Sequence, residues 1–530
     1  MSLEALSSFE QIEGKPNMSV ETLRLVSSIP IWPLLVLIPA LTLFLRLIRN
    51  PKEDFNKPPS PPKLPIIGNL YQLDALLHRS LAKLAETYGP VMLLHFGRKP
   101  YIILSSAAAA KDALKVHDAD FCDRPSMFCP AKLSYNYKDV ALTPYGEYWR
   151  QMRKTTTLEL YSSKRVQSFG SVRAAEITEM LESLALSATK GEAVNLGEKL
   201  FTLTASIMFK TAFGTSFKGS MMDDNVFEQL IHEAEGLLGT FAAADYFPYI
   251  GWVVDKLSGF HSRVDRTFQR LDKFFQHLIE EHMKSEKAKD AHEDIVDVLL
   301  RVQKEHVQSG ATWFTMDNIK GALLNIFLAG VDTGAITVVW AMTELVKNPS
   351  AMKKAQDEIR CLMADKDRVS EQDLESLEYL KMVLKETLRL HPPAPLLLPK
   401  QTTANTQVLG YHIKAGTRVY INAWAIGRDP KTWEKPDKFS PERFKDSPID
   451  YKGQNFELIP FGGGRRMCPG INMGMSTVQL SLANMLFSFD WKLPEGMTRE
   501  DISMEEGTGL TSYKKIPLKL VPVRFQTSVS

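Results

Sequence analysis

The sequence predicts a mainly α fold with small β-sheets behind a single membrane anchor, and three observations carry that prediction. Amphipathic helical runs recur at 170–186 and 264–288, and Ser105 and Ser106 stand where they can cap the alanine-rich AAAAKDALKVH. β-like alternation is confined to short pieces, VMLLHFG, YIILS, RVYINAW and the tail KIPLKLVPV. No repeat recurs at a fixed period and no linker divides residues 66–523, so a chain of 530 residues with 44% apolar content reads as one large domain behind its anchor.

Residues 26–45, VSSIPIWPLLVLIPALTLFL, carry no charge over 20 positions. As a helix they rise about 30 Å, one hydrocarbon thickness, although Pro30, Pro33 and Pro39 leave a re-entrant start as the alternative. Glu4, Glu10, Glu13 and Glu21 outnumber Lys15 and Arg24 before the segment, whereas Arg46, Arg49, Lys52, Lys57 and Lys63 follow it. Residues 1–25 are therefore expected in the lumen and the main domain in the cytosol. No small-residue cleavage site follows the apolar run, which makes it an uncleaved single-pass signal anchor, expected in the endoplasmic reticulum membrane. Residues 46–65 form a basic, proline-rich hinge in which five of the eight residues from Pro58 to Pro65 are proline, favouring stiff extended backbone. Residues 66–523 are the main domain and 524–530 a short tail.

Lys and Arg number 64 against 62 Asp and Glu, a formal charge of +2, and this balance suggests no nucleic-acid partner. The four cysteines, Cys122, Cys129, Cys361 and Cys468, are too few and scattered for a disulfide framework. None forms a C-x2-C pair, and His292-Glu293 lacks the second histidine of a zinc-site motif, so a zinc enzyme is not expected.

From Met316 to Lys347 nothing breaks the helical pattern, with Thr315 and Asp317 as cap candidates and Asn348-Pro349 as the stop. At about 1.5 Å per residue this helix is roughly 48 Å long and must cross the core. Gly330 and Gly334 lie on one face of its middle, each costing about 1 kcal/mol relative to alanine, and Asp332 and Thr333 are polar in apolar surroundings. Either something needs room there, or the glycines allow close helix contact and Thr333 bonds back to a carbonyl. Glu386 and Arg389 have the spacing of an ordinary ion pair, and Trp149 and Arg153 place an indole and a guanidinium on one helix face, suited to an anion. In FGGGRRMCPG, residues 461–470, Cys468 is compatible with a disulfide, a zinc site, a nucleophile or a haem ligand.

Together, in this order, these motifs resemble the haem-thiolate monooxygenases of the cytochrome P-450 superfamily, specifically the microsomal A-type enzymes of plant specialised metabolism. The resemblance rests on the anchor and hinge, Trp149-x-x-x-Arg153, Ala329-Gly330-x-Asp332-Thr333, Glu386-x-x-Arg389, Pro441-Glu442-Arg443-Phe444 and Phe461-x-x-Gly464-x-Arg466-x-Cys468-x-Gly470.

The resemblance implies haem b, with Cys468 as axial iron ligand pushing electron density onto the metal. Pro469 suits the first turn of the helix expected from GINMGMSTVQLSLANMLF, which would put Cys468 at a helix N-terminus. Gly462, Gly463, Gly464 and Gly470 would let the loop approach the porphyrin edge. Trp149, Arg153, Arg466 and Lys400 would meet the propionates, Lys400 where arginine is usual. Glu386, Arg389 and Arg443 would form a buried structural network. Gly330 and Gly334 would open space for dioxygen and substrate, and Asp332 and Thr333 would guide protons. Val331 and Gly334 replace polar residues common beside this acid and alcohol.

One oxygen atom of O2 is then expected to enter a hydrophobic small-molecule substrate, most simply a terpenoid or an alkaloid, and the other to leave as water. Electrons are expected from NADPH through cytochrome P-450 reductase, because the chain has no G-x-G-x-x-G motif after a strand. Phe128, Phe327, Ala329, Gly330, Leu396, Leu397 and Leu510 are expected to line the pocket. The alternatives are a haem-thiolate isomerase or dehydratase working without O2, against which Asp332 and Thr333 argue, and a non-catalytic haem-binding membrane scaffold. Cysteine nucleophile catalysis is a third, with no histidine near Cys468 in sequence.

Overall fold

A computed structural model describes residues 56–215, 224–284, 293–310 and 313–525. The anchor at 26–45, the preceding tail and the hinge up to residue 55 lie outside the described residues. The apolar periodicities form helices α1 (Leu77–Tyr88), α2 (Glu147–Thr155), α3 (Gly170–Lys190), α4 (Leu196–Phe213), α5 (Asp224–Gly239), α6 (Phe260–Lys284), α7 (Ile295–Gln308), α8 (Met316–Lys347), α9 (Pro349–Leu362), α10 (Glu378–Leu390) and α11 (Ile471–Ser488). The alanine-rich segment starts as an α-helix at Ala107 with Ser106 capping Ala109 N–H, then widens into a π-helix from Asp112 to Val116.

α8 begins where Thr315 and Asn318 bond reciprocally across the first turn, and ends where Asn348 hands over to Pro349 at the start of α9. It runs against α4, α10 and α11 and is buried along most of its length. Among the described residues it is the one helix long and apolar enough to cross a membrane, with a mean hydropathy of 1.8. Its role here is that of a core helix.

Among the described residues the strands form three small sheets. In the largest, β1 (Val91–Phe96) pairs antiparallel with β2 (Lys99–Leu104), β2 runs parallel to β7 (Arg418–Ile421), and β7 pairs antiparallel with β4 (Lys400–Gln401), setting Lys400 opposite Val419. β3 (Val194–Asn195) and β8 (Phe489–Lys492) flank β9 (Lys519–Arg524), and β5 (Thr406–Val408) pairs with β6 (Tyr411–Ile413).

The chain divides into Met1–Lys57 and Pro58–Ser530. The prolines read as hinge belong with the second unit, because Pro59 O accepts from Leu93 N–H at 2.8 Å and Asn69 Nδ2 reaches Pro62 O at 3.1 Å.

Candidate active site

The cysteine loop is shaped by two left-handed glycines, Gly462 (φ 72°) and Gly464 (φ 65°). A Cβ on Gly464 would lie 2.3 Å from Asp118 Oδ1 and 2.4 Å from Leu114 O, so no side chain fits there. Asp118 instead accepts from Arg465 N–H and, at 2.7 Å, from Arg465 Nη1, pinning the loop. Cys468 N–H donates to Phe461 O at 3.0 Å and closes the turn.

α11 starts at Ile471 with Gly470 as its cap, later than Pro469 suggested. The Cys468 thiol is pushed up by burial, against a downward pull from Gly470 N–H and the Arg153 charge. Burial therefore outweighs the helix end as the main influence on this sulfur. A thiol raised in this way becomes a thiolate when a metal cation is its partner, as an iron ligand requires.

A group of cations gathers on the same side. Trp149 Nε1 donates to Val140 O at 3.1 Å while the Arg466 guanidinium lies 4.2 Å from the Trp149 ring centroid, and Arg153 Nη2 donates to Met467 O at 2.7 Å. Arg466 spends Nε on Cys122 O and Nη2 on Thr143 O, each at 2.7 Å; its buried Nη1 has no hydrogen-bond partner among the described residues. Lys400 is only 4% exposed and its Nζ is likewise without one.

Burial, with repulsion from Arg124 and Arg466, brings Lys400 down to about 7. Burial brings Arg466 to about 10 and Arg124, next to Arg466, to about 9. Arg124 was not singled out from sequence; it donates to Ala141 O and to Leu398 O and Pro399 O, more than 270 positions on. Buried cations with spare N–H groups call for an anion, and two carboxylates meet that need. The residues present therefore fit haem, with its propionates among the cations and iron at the thiol.

α8 carries the acid and alcohol read from sequence. Ala329 is exposed and Thr333 half-buried within this otherwise buried stretch, so they face a cavity, and Thr333 Oγ1 donates to Ala329 O at 2.5 Å. The glycines do something different from what the resemblance implied. A Cβ on Gly330 would lie 2.8 Å from Met208 Sδ, so this glycine admits a close contact with α4, whereas one on Gly334 would sit at an ordinary 3.4 Å from Thr204 Cγ2 on buried helix surface. Asp332, about 100° round the helix from Thr333, accepts from Thr511 Oγ1 at 2.8 Å and is 5% exposed.

Glu386, at the core end of α10, receives Arg389 Nε at 2.7 Å and Nη2 at 2.8 Å, Arg443 Nε at 2.9 Å and Ser440 N–H at 2.8 Å. Arg389 Nη1 also holds Gly427 O and Pro436 O. This is a buried, fully bonded network.

The pocket expectations fare unevenly. Phe327 is fully buried among Phe209, Phe213, Phe227 and Phe275, and belongs to the core, not to a pocket. The Phe128 ring lies 4.3 Å from that of His261, at the start of α6. Leu396 and Leu397 are half-buried beside Lys400, and Leu510 is half-buried where its loop meets Gly239 at the end of α5.

The cytochrome P450 family model matches residues 58–520. Arabidopsis thaliana cytochrome P450 71B19 is 50% identical over 491 residues, covering 92% of this chain and 97% of the relative. Cytochrome P450 71B20 is 49% identical over 93% of this chain and 98% of its own length, and 71B26 is 50% identical over 88% and 93%; both are also from Arabidopsis. With a thiol loop, a buried cation group and a core helix of the arrangement described, the chain belongs to the cytochrome P450 family of haem-dependent monooxygenases, among its plant A-type members.

Proposed function

We propose that the protein hydroxylates or otherwise oxygenates a hydrophobic plant specialised metabolite, a terpenoid or an alkaloid, with electrons from NADPH through a flavoprotein reductase. The observation that supports this most is the partly exposed strip in the middle of the otherwise buried α8, where Ala329 and Thr333 provide small and hydroxyl surface. Bound haem supplies reduction of dioxygen, with one oxygen going to substrate and the other to water. Cys468 Sγ would bind its iron, while Arg466, Lys400, Arg153 and Arg124 hold its carboxylates. Asp332 and Thr333 would deliver protons on the distal side.

Two surface features support the partners. A cavity of about 460 Å³ lined by Trp149, Arg150, Arg153, Lys154 and Arg465 gives the Cys468 side a basic face suited to an acidic reductase. Ile66, Tyr249, Ile250, Trp252 and Leu257 are exposed at 71%, 74%, 57%, 55% and 83%, and the β1–β2 turn links their segments, Gly97 N–H donating to Ile67 O and Arg98 N–H to Tyr246 O. So large an apolar face suits a bilayer surface, and we assign the endoplasmic reticulum with the domain cytosolic.

The reading is tested by titrating purified protein with plant terpenoids, alkaloids and phenolics while following the Soret band, then incubating each hit with reductase and NADPH. A saturable low-spin to high-spin shift and an oxygenated product that requires NADPH are expected. A product formed equally without O2 would overturn the monooxygenase reading in favour of rearrangement.

A further inference from the structure

Asp332 is not alone beneath its helix. Glu235, one turn before the end of α5, is 6% exposed and stands one turn from His232 on the side of α5 that meets Asp332. His232, three residues earlier and so on the same side of α5, has Nε2 3.8 Å from Asp332 Oδ1, with a side chain 50% exposed. The arrangement is held from both sides. Thr511 donates to Asp332, and Gly239, ending α5, lies so close to the same loop that a Cβ there would be 2.6 Å from Leu510 N. The ionisable groups influencing this pocket are Glu228, His232 and Glu235 of α5, Glu198 of α4 and Asp332 of α8.

Where two carboxyl groups face one another out of water, like charge favours one proton held between them. Burial, then the charge of Asp332, pushes the Glu235 carboxyl well above the ordinary carboxylate range. His232 is raised by its interaction with Asp332, against the cost of burial, and half-exposed imidazole exchanges protons readily near neutral pH.

We propose that Glu235 and Asp332 form a carboxyl pair holding one proton between them, and that His232 refills it from solvent. This rests on the monooxygenase reading. When the pair gives its proton toward the cavity lined by Thr333, both carboxyls become carboxylates facing an imidazolium. His232 Nε2–H then passes its proton to Asp332, restoring one proton to the pair, and the neutral imidazole takes another from water. Glu235 and His232 act through Asp332 and are positioning residues, and neither belongs to the alcohol and acid pair read from sequence.

The experiment uses full-length, haem-loaded protein. Infrared spectra near neutral pH should show a buried protonated carboxyl band that shifts in deuterium oxide and is absent from Glu235→Gln, which keeps size and hydrogen bonding but has no titrating proton. In parallel, substrate-free protein with NADPH and reductase is scored for the share of consumed O2 released as hydrogen peroxide. That share should rise several-fold in Glu235→Gln and in His232→Gln, with the cysteinate-haem spectrum and thermal midpoint unchanged.

A wild-type protein lacking the band, or a band that survives Glu235→Gln, overturns the shared proton whatever the haem does. Loss of the band with an unchanged peroxide share in both variants overturns the relay. Wild-type protein that shows no thiolate-haem spectrum and consumes no O2 sinks the monooxygenase reading, and the relay with it, a result distinct from both others because the infrared band would remain.

Discussion

With burial and two neighbouring guanidinium groups bringing Lys400 to about 7, against 10.5 for an ordinary lysine, the folded haem-free chain binds fewer protons here than the unfolded chain between those values. Stability of the haem-free protein therefore rises with pH across that window, by about one proton's worth of slope, and the penalty is fully present below it. Thermal unfolding of haem-free protein from pH 7 to 9 should show this rise, and Lys400→Met should abolish it. The same variant should release haem to a competing apoprotein faster, since it removes a cation that has no partner among the described residues. Gly464→Ala belongs to this scale too: its left-handed backbone and the neighbouring Asp118 and Leu114 leave no room, so haem-loaded protein should be lost on expression. Trp149 with Arg153, and Arg466 with Cys468, are each marked in the sequence by a short spacing, while the contact between the two pairs, Arg466 on the Trp149 ring, is made only by the fold. Arg124 and Glu235 were not legible, because their neighbours are set by long-range folding and no local pattern marks them.

α8 was legible in full, from Thr315 to Asn348, because its apolar run is long and both ends carry stop signals. Its glycines were legible as glycines only; which neighbour they admit depends on α4. Gly334→Ala should therefore raise thermal stability, by up to about 1 kcal/mol of recovered helix propensity, and leave the Soret response to ligands unchanged. A weakened ligand shift would show instead that the glycine serves the pocket. In the α10 network, Arg389→Ala takes two of the four donors from the buried Glu386 carboxylate, leaving Arg443 and Ser440, and should cost about 3 kcal/mol, read as loss of haem-loaded protein. Normal haem content would show the network to be dispensable. Short strands such as β5 and β6 escaped sequence reading because three residues give no alternation to detect.

For the whole molecule, the exposed apolar face predicts that a chain beginning at Pro58 still sediments with phospholipid vesicles, and that Trp252→Ser with Leu257→Ser releases it to the supernatant. Fold class and helix order were readable because a large helical domain repeats its signal many times; the pocket was not, since core and pocket both use large apolar residues, as Phe327 shows.

The hydropathy of α8 has a consequence for the life of the chain. A segment that passes as a membrane span is stored inside a domain that we propose works beside a bilayer, shielded only by its neighbours. When thermal unfolding bares it at a vesicle surface, lipid competes with α4, α10 and α11 for it, and refolding must first extract it. Loss of this enzyme on heating should accordingly be a one-way event in membranes and more nearly reversible in their absence.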